Sequence, residues 1–79
     1  MAIKSFEDLT VWQDGKEIIK QVYPILKDST EYWLKDQILR ASLSITNNIA
    51  EGFERESQKE YIRFLFIAKG STAELRSIL

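Results

Sequence analysis

Cysteine and histidine are both absent from this chain of 79 residues, and the two absences remove whole classes of chemistry. Without cysteine there is no disulfide framework and no thiolate nucleophile. Without histidine as well, zinc ligation and the common general-base and nucleophile pairings lose their residues. Proline occurs once, at Pro24, and glycine three times, so helices meet few breakers. No apolar run nears the roughly 18 residues of a membrane span. The opening stretch, residues 1–13, is charged and lacks the apolar segment of a secretory signal. The expectation is a cytoplasmic, soluble protein, most simply a bacterial one.

What is present is the composition of a single globular domain: 44% hydrophobic and 29% charged residues. Eleven Lys and Arg against twelve Asp and Glu leave a formal net charge of −1, so the chain as a whole does not attract nucleic acid. A domain of this size buries only roughly 60% of the surface its unfolded chain exposes. Its core is marginal alone, and with disulfides and metals removed, oligomerisation is the remaining way to complete it.

The centre of the chain is the stretch Gln37–Gly52. Ile38, Ala41, Ile45, Ile49 and Gly52 recur at helical spacing as an apolar stripe. Gln37, Arg40, Ser44, Asn47, Asn48 and Glu51 form a second stripe of hydrogen-bonding residues with few long aliphatic stems. A merely solvated face would carry Lys and Glu, so this one is expected to meet a partner. The preferred assignment is a structural polar network that fixes register between helices, with Arg40 reaching a carboxylate and Asn47 or Asn48 bridging backbone groups.

Three helices are expected, over about residues 6–26, 31–53 and 58–79. Ser5-Phe6-Glu7-Asp8 reads as an entry with a hydroxyl cap and a carboxylate three residues on. Leu9, Trp12, Ile19, Val22 and Tyr23 keep helical spacing, and Gly15 suggests a close helix contact. Pro24 is expected to kink or end this helix near Tyr23. Asp28, Ser29 or Thr30 can cap the second helix, and Gly52 is the natural left-handed terminator after it. Ser57-x-x-Glu60 is a further capping box. Beyond it Tyr61, Leu65, Ala68, Thr72, Leu75 and Leu79 step by four and three as a bundle seam. Gly70-Ser71-Thr72-Ala73 gathers small residues where a neighbouring helix can approach. The fold class is therefore all-α: an antiparallel up-down helical bundle in one domain over residues 1–79, with more apolar face than three helices can cover for one another.

The motifs Phe6-x-Asp8-Leu9-x-Val11-Trp12-Gln13, Gln37-Ile38-x-Arg40-Ala41-x-x-Ser44-Ile45, Asn48-Ile49-Ala50-Glu51-Gly52 and Ala68-x-Gly70-Ser71 resemble a family of bacterial four-helix bundle proteins. That family was first noticed as reading frames in the intervening sequences of 23S ribosomal RNA genes, and it includes the accessory protein of diversity-generating retroelements. The resemblance implies an up-down bundle assembled into a ring-shaped homopentamer. Most members have no established activity, and the retroelement relative binds RNA and its reverse transcriptase. This chain departs from the family pattern at Thr46 and Asn47, where a proline and a small residue are usual, and in its short first connection, which lacks a Phe-Pro pair. Family members also continue the third helix and add a fourth. The expectation is a four-helix-like bundle whose last helix is missing or supplied by oligomerisation.

For catalysis, the only polar cluster to weigh is Glu51 with Arg40, Asn47 and Asn48. A second acid, Asp36, lies fifteen residues from Glu51, about 22 Å along one helix. We expect no enzymatic activity, no cofactor, no metal and no small-molecule substrate. For RNA, residues 57–79 hold Lys59, Arg63, Lys69 and Arg76 against Glu60 and Glu74, a local balance of +2. Arg55, Lys59 and Arg63 are four apart, and with Lys69 they are the candidate RNA contacts; the alternative is a solubilising face. Trp12 and Trp33 are expected in the core or an interface. No helix pairs a strongly basic face with an apolar one, so membrane association is not expected. The expected partners are further copies of the chain, with structured RNA or a reverse transcriptase as candidates. The competing possibility is a protein-binding adaptor that uses an exposed apolar seam.

Overall fold

The computed structural model describes residues 3–28 and 30–79. A short 3-10 turn, Phe6–Asp8, precedes three helices: α1 over Thr10–Lys27, α2 over Tyr32–Phe53 and α3 over Gln58–Ile78. Strands are absent among the described residues, as the missing period-two patterning predicts.

The entry at Ser5 forms, but it opens the short turn and not the long helix. The amides of Lys4 and Ser5 donate to the Asp8 carboxylate at 3.1 and 3.3 Å. Leu9 is extended, and α1 begins after it. Gln13 donates its side-chain amide to the Glu7 carbonyl at 2.9 Å and ties the turn to the helix. Phe6 packs edge to face on Trp12, with centroids 5.4 Å apart.

Pro24 does not end α1, which runs on to Lys27. Proline removes one helical hydrogen bond and crowds the preceding turn. Leu26 lies beyond it and is buried with Val22 in the core, and that burial holds the last turn helical. The cap of α2 also differs from expectation. Glu31 stands at its N-cap, so neither Asp28 nor Thr30 caps it, and Ser29 lies outside the described residues. The Ser57 box forms as expected: its hydroxyl accepts from the Glu60 amide at 3.3 Å.

Gly52 is not a left-handed terminator. It lies inside α2, and among the described residues no glycine has positive φ. Its role is close approach: a Cβ there would stand 2.6 Å from Cβ of Phe64 and 3.2 Å from the Tyr61 carbonyl oxygen. Gly15 does the same for α1, where a Cβ would stand 2.8 Å from Cγ2 of Thr46. These contacts join the start of α1 to the end of α2, and the end of α2 to the start of α3, so successive helices run antiparallel.

The helix α2 is the hub. Val22 and Leu26 of α1 and Ala68 and Leu75 of α3 close over its stripe of Ile38, Ala41, Ile45 and Ile49, the last only 1% exposed. Among the described residues no Cα of α1 comes within 8 Å of one in α3. The arrangement is an open corner of three helices, 42 × 23 × 15 Å in extent. Its radius of gyration, 13.5 Å, exceeds the roughly 11.6 Å of a compact chain of this length. The buried face of α3 centres on Ala68, Ser71 and Leu75. Thr72 and Leu79, which the expected seam included, are exposed, and Ser71 and Ile78 take the inner positions.

Candidate functional site

The polar stripe on α2 divides into an inner pair and an outer set. Ser44 and Asn48 turn towards α3 and are half-buried. Asn48 donates through Nδ2 to the Ser44 carbonyl at 2.7 Å and to the Ser44 hydroxyl at 2.9 Å. The Ser44 and Ser71 hydroxyls lie 2.8 Å apart across the seam. Ser71 also bonds the Ile67 carbonyl of its own helix at 3.2 Å, which commits its proton, so Ser44 is the donor across the seam. The result is a directed chain, Asn48 to Ser44 to Ser71 to Ile67, linking α2 to α3. Among the described residues no buried side-chain polar atom lacks a partner.

The outer set does not gather around that chain. Arg40 pairs with Asp36 at 3.8 Å, both largely exposed. Glu51 pairs with Arg55, which also lies over the Phe64 ring with its guanidinium carbon 5.1 Å from the centroid. Asn47 is exposed. Gln37 sits at the far end of the α2–α3 seam, in a hollow with Trp33, Leu34, Glu74 and Ile78. Among the described residues no three acidic side chains converge into a cluster able to hold a metal ion.

Two buried hydroxyls were not anticipated. Ser42 and Thr46 are buried on the side of α2 that faces α1. Each satisfies itself by donating to its own helix, Ser42 to the Ile38 carbonyl at 2.8 Å and Thr46 to the Leu43 carbonyl at 3.2 Å. The signal that could have found them is Gly15, since a glycine opposite small hydroxyl residues lets two backbones approach.

The candidate RNA residues fall on or beside α3. Arg55 is engaged with Glu51 and Phe64 as above. Lys59 and Arg63 stand on the lip of an open hollow of about 620 Å³ whose other walls are Glu60, Ile62, Phe66 and Ile67. Lys69 places its ammonium 6.0 Å from the centroid of the Phe66 ring. A second hollow, about 700 Å³, opens at the α1–α2 corner between Tyr23, Tyr32 and Trp33. Trp12 packs against the core, whereas Trp33 is 68% exposed. Among the described residues no helix is long and apolar enough to cross a membrane.

Residues 7–79 match the family model described as 23S rRNA-intervening sequence protein. No curated protein and no solved structure matches the chain.

Proposed function

Because this chain belongs to the family of 23S rRNA-intervening sequence proteins, we propose that it is a non-enzymatic helical-bundle protein that self-associates into a defined oligomer and associates with RNA along α3. The observation that carries the proposal is surplus surface. The chain exposes 5976 Å², whereas a compact monomer of 9.2 kDa is expected to expose roughly 4,900 Å². The excess, on the order of 1,000 Å², is the size of one partner's share of a standard protein interface. It includes apolar side chains on both outer helices, Val11 and Ile25 of α1 and Ile67 of α3. Copies that cover these faces repeat the Lys59–Arg63–Lys69 edge around the assembly, so modest charge per chain becomes a basic belt able to follow phosphates.

Two measurements test the proposal. Light scattering is expected to give a discrete multiple of the chain mass. Binding to a structured RNA is expected to weaken steeply between low and moderate salt, and to vanish when Lys59 and Arg63 are both changed to Glu. A lack of binding at low salt removes the RNA role. The second reading, an adaptor for another protein, is favoured by one observation, the exposed aromatic hollow of Tyr23, Tyr32 and Trp33. It predicts a monomeric or aggregating chain in the same scattering experiment.

A further inference from the structure

We infer that the outer face of α3 takes unpaired RNA, with one base stacked on Phe66 and the flanking phosphates held by Arg63 and Lys69. The inference rests on the RNA association proposed above and specifies what that face recognises. Phe66 is 65% exposed on a helix whose buried face lies on the opposite side. Arg63 precedes it by three residues and Lys69 follows it by three, so a cationic residue is rooted about 4.5 Å along the helix axis on either side of Phe66. Lys59 extends the basic edge by one more turn. Neither Lys59 nor Arg63 meets a carboxylate within 4.0 Å among the described residues. Glu60 is the one acid on the same hollow.

The Lys69 ammonium lies over one face of the ring, 6.0 Å from its centroid, so a stacked base takes the opposite face. Gly70, four residues on, has nothing within 4 Å of the place a Cβ would take. A glycine in an exposed helix interior costs about 1 kcal/mol relative to Ala, and among the described residues no contact accounts for it. An exposed aromatic ring with a cationic residue one turn to either side suits a nucleotide whose base is free to stack. In a duplex the bases are already stacked inside, and the outer surface offers Phe66 only phosphates. Phosphate contacts alone would leave the apolar ring in water. Unpaired RNA satisfies both halves of the face.

The test uses the full chain with a fluorescein-labelled oligouridylate and, beside it, an RNA duplex of equal length. The expected result is tighter binding of the oligouridylate. Phe66→Leu keeps an apolar side chain without a stacking face and is expected to weaken binding at least about tenfold. Phe66→Trp is expected to restore it, and circular dichroism with light scattering to show both variants folded with the parent mass. If Phe66→Leu binds as the parent does while the Lys59→Glu/Arg63→Glu double variant does not bind, the stacking inference fails and the phosphate contacts stand. If neither RNA binds the parent, both fail. A Phe66→Leu chain of altered mass would place the ring in a contact between copies and overturn the inference as well.

Discussion

Where α2 meets α3, the helices close over Gly52 and a chain of side-chain hydrogen bonds that ends on a carbonyl of α3. Where α2 meets α1, they close over Gly15, the aliphatic side chains of Val22 and Leu26, and two hydroxyls that bond only within α2. Both seams use a glycine to bring backbones near, but among the described residues only the first carries side-chain hydrogen bonds from one helix to the other. An apolar contact tolerates sliding, because any close-packed register removes a similar area from water. A directed chain of donors is satisfied in one register alone, so the α2–α3 pair is the specified half of the molecule and α1 the adaptable half.

That contrast can be strained at four positions. The largest effect is expected at Gly52→Ala, where the added Cβ meets Cβ of Phe64 and the Tyr61 backbone. Moving two helices apart costs about 1–3 kcal/mol, which outweighs the helix-propensity gain of about 1 kcal/mol. Thermal unfolding is expected to fall by several degrees. Ser71→Ala comes next. It leaves the Ser44 hydroxyl without its acceptor at a part-buried site, a cost of about 1 kcal/mol in denaturant unfolding.

Gly15→Ala is expected to cost less, about 0.5–1 kcal/mol, because its near neighbour is a side-chain methyl of Thr46 rather than backbone. Adding Thr46→Ser removes that methyl and should recover most of the loss; purely additive penalties would show that the contact does not limit the seam. The smallest change has the opposite sign. Gly70→Ala meets open space and is expected to stabilise the fold by just under 1 kcal/mol. A destabilised Gly70→Ala chain would reveal a close neighbour at that face in solution.

Much of this fold is legible in the residues. The apolar and polar stripes of 37–52 place α2 and its partners, and the Ser57 box marks where α3 begins. The failures have a common cause, tertiary contact overriding a local rule. Pro24 reads as a stop, yet burial of Leu26 continues the helix. Gly52 reads as a cap, yet it serves the contact with Phe64. The α3 seam slips from Thr72 to Ser71 because Ser71 completes the hydrogen bonds of Ser44, a preference that hydrophobic periodicity does not register. The candidate sites follow the same pattern. Ser44 and Asn48 share a face by spacing and come together, whereas Arg40 and Glu51 find nearer partners of opposite charge, Asp36 and Arg55, one turn away on their own helix or just beyond it.

The central claim is that an open corner of three helices, with roughly 1,000 Å² more surface than a compact chain, is covered by further copies of itself. Sedimentation equilibrium over a dilution series tests it most directly. The account predicts a discrete multiple of 9.2 kDa that persists on dilution until helicity and assembly are lost together. A folded, fully helical species of 9.2 kDa at high dilution would contradict it.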